Sequence, residues 1–258
     1  MVNCFDGFGK KLQLTLKVLS FNIHNGLNWD GKYGLEQIAD FIGEVGPDLT
    51  GLQEVSRFWS RKTNFQDMAR YLEKRLGMFS VFAPSLHRKK EAVFGNLVLS
   101  KFPIINAWSE ILPSKLEPRN YLAVQVNACG VRVNFLTTHL GLSESERLAQ
   151  VGTICKIGFQ LGDPLIICGD FNESPTGSGV SLIKENWVKH NPSPPRGTVR
   201  LSADGLGPEI DMIFTSLDLV SKNMKVYENK LSDHLPVYGE FEMDLFWNQV
   251  AGQPVYLF

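Results

Sequence analysis

The feature that most constrains the fold is a series of short apolar runs, each of which ends in a carboxylate, amide or imidazole side chain. Val131 to Thr138 alternates with a period of two and leads directly to His139, which is typical of a half-buried strand. Pro164 to Cys168 is wholly apolar, as in a strand buried on both faces, and Asp170 follows two residues later. Because the strong polar clusters all stand at such strand ends, we expect them to form one site.

Segments with helical spacing separate these runs. Apolar residues recur every three or four positions from Leu35 to Val45, and Gly46-Pro47 then ends the predicted helix. Ser143 to Leu161 is also predicted to be helical, since Ser143 and Glu146 have the spacing of a capping box. The other predicted strands are Leu16–Ile23, Leu49–Leu52, Met78–Ala83, Val93–Ser100, Tyr121–Val126, Ile210–Thr215, 218–227 and Leu235–Met243.

The order of these segments predicts one α/β domain over residues 1–258, with a core at about 16–243. Strands and helices alternate in both halves and no linker divides the chain, so we expect two sheets packed on each other with helices outside. Residues 1–15 are interpreted as a loose lead-in and residues 191–208 as a long loop. A short helix is predicted near Val180 to Val188, and residues 244–258 are expected to pack on the body or to form a contact surface.

The charge balance argues against a protein that grips long duplex DNA by its backbone. The chain has 26 basic and 27 acidic residues and a formal net charge of −1. Its four cysteines have no paired spacing, which favours a reducing compartment, and we find no apolar run long enough for a signal peptide or a membrane span. We therefore expect a cytoplasmic protein.

The polar clusters contain the groups that metal-assisted phosphoester hydrolysis needs. Clustered oxygen donors suit Mg²⁺ or Mn²⁺ better than zinc, and five such donors are Glu54, Asp170, Asp233, Asn22 and Asn172. Imidazoles can protonate or bind an oxyanion near neutral pH, and His139 and His234 supply them. Asp211 has the same strand-end context and could hold one imidazole by a ring nitrogen.

Simpler interpretations stand beside this one. A single Asp at a strand end is more often a turn former or a helix cap, and a lone histidine such as His139 more often lies on the surface or in a satisfied core. Ser232-Asp233-His234 does not indicate a serine hydrolase, because contiguous residues cannot all converge on one another and no nucleophile-elbow pattern is present. The shared strand-end context of the clusters favours the site.

Six short motifs follow one another along the chain. They are Phe21-Asn22-Ile23, Leu52-Gln53-Glu54-Val55, Thr137-Thr138-His139-Leu140, Gly169-Asp170-Phe171-Asn172, Ile210-Asp211 and Ser232-Asp233-His234-Leu235-Pro236-Val237. They occur in the order of the endonuclease/exonuclease/phosphatase superfamily, and the chain resembles that family from about Leu16 to Met243. This resemblance implies a four-layer α/β sandwich of two mixed sheets flanked by helices.

The resemblance also implies a metal side of the site. Glu54 matches the family's principal metal ligand, and Asp233 matches a further metal-site carboxylate. Asn22 matches an amide that supports the metal site and the catalytic Asp. Arg119, just before the strand Tyr121 to Val126, resembles an arginine that many members place near the substrate; its simpler interpretation is a surface residue that caps a strand.

A catalytic side follows from the same resemblance. Asp170 matches the residue that activates or orients the attacking water, and Asn172 matches an amide that contacts the phosphate. His234 matches the imidazole at the scissile phosphate, with Asp211 as its carboxylate partner. His139 matches a second histidine on the phosphate side.

Departures from the family's branches narrow the expected substrate. Thr-Thr-His-Leu replaces the tyrosine motif usual in abasic-site endonucleases, and His24 replaces their Asp or Asn. We therefore expect a Mg²⁺- or Mn²⁺-dependent enzyme that hydrolyses a phosphodiester by in-line attack of water. A DNA or RNA nuclease of the same fold is the alternative. A binding module without activity is disfavoured, because its mark would be loss of Glu54, Asp170 or His234.

Overall fold

The computed structural model describes residues 12–202 and 205–245. Its strands, numbered along the chain, are β1 (Leu12–Asn22), β2 (Leu49–Arg57), β3 (Phe79–His87), β4 (Val93–Ser100), β5 (Ile104–Leu112), β6 (Arg119–Ala128), β7 (Val131–His139), β8 (Leu165–Asp170), β9 (Val188–His190), β10 (Asp211–Thr215), β11 (Val220–Val226) and β12 (Val237–Leu245). Its α-helices are α1 (Leu35–Val45), α2 (Met68–Leu76), α3 (Glu144–Leu161) and α4 (Ser178–Lys184).

The strands form two six-stranded mixed sheets. Sheet I has the order β11-β12-β1-β2-β4-β3, and sheet II has the order β5-β6-β7-β8-β10-β9. The first and last strands, β1 and β12, are antiparallel neighbours in sheet I. Within each sheet, one pair of parallel strands, β1 with β2 and β7 with β8, lies near the centre.

Buried apolar side chains divide between the two faces of each sheet, as period-two strands require. Val18 and Phe135 belong to the cluster between the sheets. Phe21 faces the other way and packs with Ile38 of α1, in a cluster that also contains α2 residues. On the far side of sheet II, Ile167 packs in a cluster with residues of α3 and α4. Four layers result, and the predicted four-layer α/β sandwich is confirmed.

The helix ends follow the sequence signals. The Gly46 backbone at the end of α1 has a φ of 63°, a left-handed conformation that glycine adopts without strain. Ser143 caps α3 as predicted, because its Oγ accepts the backbone N–H of Glu146 at 3.3 Å. The Glu146 carboxylate does not complete a capping box; it accepts the backbone N–H groups of Lys115 and Leu116 in the segment that leads to Arg119.

Several predicted boundaries were wrong. β1 begins at Leu12, so residues 12–15 belong to a strand and not to a lead-in, whereas residues 1–11 lie outside the described residues. β5 was not predicted at all. The predicted helix up to Val188 ends at Lys184, and Val188 begins the edge strand β9 because it pairs with Thr215. Leu245 is the last described residue of β12, so residues 246–258 of the predicted tail lie outside the description.

The loop prediction for residues 191–208 holds for its described part, which contains only isolated bridges such as Val199 with His234. Among the described helices, none is long and apolar enough to cross a membrane.

Candidate active site

Strand register brings the predicted residues to one end of the sandwich. The parallel pairing of β7 with β8 places His139 beside Asp170, and the antiparallel pairing of β10 with β8 places Asp211 on the other side of Asp170. In sheet I, the parallel pairing of β1 with β2 places Asn22 beside Gln53, which precedes Glu54. Both sheets therefore present their polar strand ends to the same space.

Asn22 joins the two sheets. Its side-chain Nδ2 donates to Glu54 Oε1 at 3.2 Å in sheet I and to Asp170 Oδ2 at 3.0 Å in sheet II. Its Oδ1 accepts the backbone N–H of His24 at 3.0 Å, which fixes the orientation of the amide. Asn22 is 1% exposed, so a substitution that removes either contact would leave buried polar atoms without partners.

A local irregularity of β2 aims Glu54 into the site. The pairing of β2 with β4 shifts register between Leu52 and Val55, and Glu54 has a φ of 58°, which is unusual for a residue other than glycine. Burial raises the pKa of the Glu54 carboxyl, and the nearby Asp170 and Asp233 act in the same direction, against Asn22 and His24. Grouped carboxylate oxygens are ligands that suit a divalent cation.

Asp170 lies at the centre of the hydrogen-bond network. Its Oδ2 is 3.0 Å from Asn22 Nδ2, 3.3 Å from His139 Nε2 and 3.7 Å from His234 Nε2. Its Oδ1 accepts the backbone N–H of Asn172 at 2.9 Å. Two imidazoles and an amide therefore converge on one buried carboxylate oxygen.

His139 is neutral and its tautomer is defined by Arg119. Arg119 Nη1 lies 3.0 Å from His139 Nδ1, and because a guanidinium only donates, Nδ1 must accept and Nε2 carries the proton towards Asp170. Burial lowers the pKa of His139 to about 3, and Arg119 and His234 lower it further against the effect of Asp170. Arg119 is only 8% exposed and also pairs with Glu117 at 2.9 Å.

His234 has the opposite charge state. Burial alone would lower the pKa of His234, but Asp211 Oδ2, 2.9 Å from Nδ1, together with Asp170 and Asp233, raises it to about 10. Thr198 Oγ1 accepts the backbone N–H of Asp211 at 3.0 Å and so anchors that carboxylate's strand. The site therefore pairs a neutral imidazole with an imidazolium.

The remaining predicted residues, Asp233 and Asn172, flank this network. Asp233 Oδ1 accepts the Ser232 hydroxyl at 3.1 Å and lies 3.4 Å from His24 Nδ1. The Asn172 side-chain amide donates to the backbone carbonyl of Leu140 at 2.9 Å, so the loop after β8 is tied to the loop after β7. Asn172 also has a φ of 48°.

A small cleft lies beside part of this network. Its lining includes Glu54, His139 and Arg119 from the predicted set. It also includes Asn96 and Asn120, which sequence reasoning missed; Asn96 Nδ2 donates to Asn120 Oδ1 at 2.8 Å. The sequence signal is weak: Asn96 is a polar side chain inside a mainly apolar run, and Asn120 directly precedes the predicted strand Tyr121–Val126.

Two groupings of the described residues suit a metal ion differently. Asp170, Asp211 and His234 offer ligand atoms within 4.8 Å of one another. Asp211 is engaged by a protonated His234, however, and an imidazolium has no lone pair to offer a metal. Glu54 and Asp233 are the carboxylates of the predicted metal side; Asn22 donates to Glu54, and His24 Nδ1 lies 3.4 Å from Asp233 Oδ1.

Comparisons with known proteins identify the family to which this chain is similar. A model of the Endonuclease/Exonuclease/phosphatase family matches residues 19–234. An uncharacterised Escherichia coli K12 protein, YbhP, is 29% identical over 172 residues, which is 62% of this chain and 68% of that protein.

Solved structures share the fold at lower identity. An endonuclease/exonuclease/phosphatase family protein from Bacteroides thetaiotaomicron has a TM-score of 0.76 at 19% identity, covering 91% of this chain and 100% of that one. A mannosyl-6-phosphatase from the same organism has a TM-score of 0.73 at 19% identity, covering 88% and 99%.

Proposed function

Because this chain belongs to the endonuclease/exonuclease/phosphatase family, we propose that it is a divalent-metal-dependent phosphoesterase that hydrolyses a phosphodiester by in-line attack of water. The observation that carries the proposal is the convergence of Asn22, His139 and His234 on one oxygen of Asp170, with Glu54 held on the other side of Asn22. The site holds a base, an imidazolium and an anionic pocket for a cation within one network.

Glu54 and Asp233 are the residues that we propose to hold Mg²⁺ or Mn²⁺, with Asn22 supporting Glu54 through its 3.2 Å hydrogen bond. When bound, such a cation neutralises phosphate charge and stabilises a leaving oxygen. This assignment rests on the chemistry of the carboxylates. Burial and the neighbouring carboxylates raise the pKa of Glu54, and a bound cation would stabilise its ionised form.

Asp170 is the residue that we propose to orient the attacking water and to accept its proton. Hydrogen bonds from Asn22 and from the Asn172 backbone hold both carboxylate oxygens, so the base is positioned before substrate arrives. The neutral His139 presents an Nε2–H to the same region.

His234 is the residue that we propose to donate to the developing negative charge on the phosphoryl oxygens. Asp211 holds its Nδ1–H, which leaves Nε2–H directed at the site. Preorganised donors of this kind are worth roughly 3 kcal/mol each in comparable sites. His139 and the Asn172 amide are proposed to share this role on the opposite side.

A small ester is the substrate class that we favour over duplex DNA. The total charge of the chain is −1, which does not favour binding to many duplex phosphates. A phosphomonoester is the second candidate, because one structural relative is a mannosyl-6-phosphatase. A nuclease remains the alternative within the family.

One panel of assays tests the proposal. Purified protein with Mg²⁺, with Mn²⁺ or with chelator would be offered a generic phosphodiester, a phosphomonoester, DNA, RNA and phospholipid vesicles. We expect metal-dependent hydrolysis of a small phosphodiester, a severe loss in Glu54→Gln, and no loss in the matched control Glu44→Gln, whose side chain is exposed on α1. Full activity in chelator would refute the metal assignment. Much faster cleavage of DNA than of every small ester would refute the substrate class.

A further inference from the structure

Two buried polar side chains on α3 hold segments that lead into the active site. Glu146 and Gln150 are four residues apart in the first turns of the helix, so they lie on the same face. Only 5% and 0% of their surfaces are exposed. Buried polar groups need hydrogen-bond partners, and theirs lie in residues 113–118, between β5 and β6, and in the loop after β7.

Gln150 binds both segments with a single amide. Its Nε2 donates to the Pro113 carbonyl at 2.9 Å and to Ser114 Oγ at 3.0 Å, in the segment before β6. Its Oε1 accepts the backbone N–H of Gly141 at 2.8 Å, in the loop after β7. Because a carbonyl only accepts and a backbone N–H only donates, these neighbours fix the orientation of the amide. Gln150 therefore sets the separation of the two segments.

Glu146 strengthens the hold on the segment before β6. Its Oε1 accepts the backbone N–H groups of Lys115 and, at 3.1 Å, of Leu116. A Cβ on Gly141 would lie 2.7 Å from Glu146 Oε2, so the loop after β7 lies closely against the same carboxylate. The two side chains together fix the backbone on both sides of the contact between β6 and β7.

The two segments lead to Arg119 and His139, which contact each other. The Arg119 backbone N–H donates to Ser114 Oγ at 3.3 Å, and the same oxygen accepts from Gln150. The Arg119 guanidinium then reaches His139 Nδ1 at 3.0 Å. Hydrogen bonds therefore connect the buried amide on α3 to the active-site imidazole.

We propose that Gln150, assisted by Glu146, is a positioning residue for the active site. It keeps Arg119 against His139, and this contact keeps the His139 proton on Nε2, 3.3 Å from Asp170 Oδ2. Since Gln150 is fully buried, its effect on a substrate must pass through the segments that it holds. The kinetic part of this inference rests on the proposed function, whereas the tautomer of His139 does not.

The tautomer can be measured directly by long-range ¹H–¹⁵N NMR at neutral pH, with the ring signals of His139 identified by their loss in His139→Gln. We expect a single tautomer, protonated on Nε2, in the wild type. Gln150→Met keeps the size of the side chain and removes its three hydrogen bonds. His139 should then populate both tautomers, and kcat should fall by about tenfold or more. Gln160→Met, at an exposed position of the same helix, should change neither quantity.

Three further variants separate positioning from general stability. Glu146→Gln keeps an oxygen that accepts the two backbone N–H groups, so it should retain most of the wild-type kcat, whereas Glu146→Met should resemble Gln150→Met. Ser114→Ala removes the link to the Arg119 backbone and should shift the tautomer in the same direction to a smaller extent. It tests the inference even if Gln150→Met fails to fold, which melting temperatures would show.

A double-mutant cycle tests whether Gln150 acts through Arg119. If it does, adding Gln150→Met to Arg119→Ala should lower kcat little further. Strictly additive losses would overturn the inference, and so would a single unchanged tautomer in folded Gln150→Met or in Ser114→Ala. If the wild-type protein hydrolyses none of the phosphate esters tested, the proposed function is wrong, and the tautomer measurement still decides the role of Gln150.

Discussion

Replacing Asp211 with Asn should move the alkaline limit of turnover to lower pH, because Asp211 is the main group that keeps His234 protonated. Burial alone would lower the pKa of His234, and Asp211, with help from Asp170 and Asp233, raises it from 6.5 to about 10. This difference corresponds to on the order of 5 kcal/mol in favour of the imidazolium. Asp211 Oδ2, 2.9 Å from Nδ1, contributes the largest share.

The sign of the pH dependence follows from this raised pKa. The paired imidazolium stabilises the fold fully below about pH 6.5, and the stabilisation is lost as pH rises through about 10. In Asp211→Asn the main opposing group is gone, so burial pulls the pKa of His234 down again. A pKa near the ordinary value of about 6.5 would leave roughly a tenth of the molecules protonated at pH 7.5, and turnover there should fall about tenfold from this cause alone. The amide can also favour the wrong imidazole tautomer, a loss that lower pH does not restore.

The assay is kcat measured from pH 5 to pH 10.5 for the wild type and for Asp211→Asn, with Asp40→Asn as control because Asp40 is an exposed partner of Arg75. We expect the alkaline limb to move to lower pH only in Asp211→Asn, with KM nearly unchanged. His234→Ala should be severe, and the double variant should be little worse than His234→Ala. An unmoved alkaline limb, or strictly additive losses in the double variant, would refute the coupling.

Three further predictions follow from the same geometry. Arg119→Ala should lower kcat more than Arg88→Ala does, since only Arg119 holds the His139 tautomer; equal effects on steady-state kinetics would contradict this. Hydrolysis of a small phosphodiester should depend weakly on salt between 50 and 200 mM, whereas a protein bound to several duplex phosphates loses affinity on the order of a thousandfold; a steep loss in the rate assay would favour the nuclease alternative. Gly51→Ala should lower the free energy of unfolding in urea by about 1–3 kcal/mol, because the new Cβ would lie 2.6 Å from Thr137 Oγ1 and 2.7 Å from Cys168 Sγ. Unchanged stability would contradict the close approach of the two sheets at Gly51.

The end-of-strand pattern was sufficient to predict that these polar side chains come together. His139 and Asp170 each end a run with clear apolar character, and the parallel pairing of their strands places them side by side. The resemblance to the family added the pairing of Asp211 with His234, which the structure shows at 2.9 Å. The assignment of catalytic and metal-binding roles to these residues stays a prediction, as does the single domain over residues 1–258.

Features that depend on tertiary contacts could not be predicted. β5 was missed because it is an edge strand with exposed residues on both faces, so its sequence has no apolar alternation. Glu54 was predicted from its motif, but the register shift that aims it depends on pairing with β4, which no local signal reveals. The contact of Arg119 with His139 could not be predicted, because it depends on β6 and β7 bringing residues twenty positions apart together. The expected place of Arg119 near the substrate stays a prediction.

Side-chain hydrogen bonds join the two sheets at the site, and this makes the packing between the sheets part of the chemistry. Asn22 links Glu54 of sheet I to Asp170 of sheet II, and Gln53 Nε2 of sheet I donates to Thr137 Oγ1 of sheet II at 2.8 Å. Gly51 allows this approach, because any Cβ there would collide with sheet II. A displacement of one sheet relative to the other would therefore separate the metal-binding carboxylate from the base before it unfolded either sheet. Loss of activity should precede loss of structure in any variant that loosens this contact.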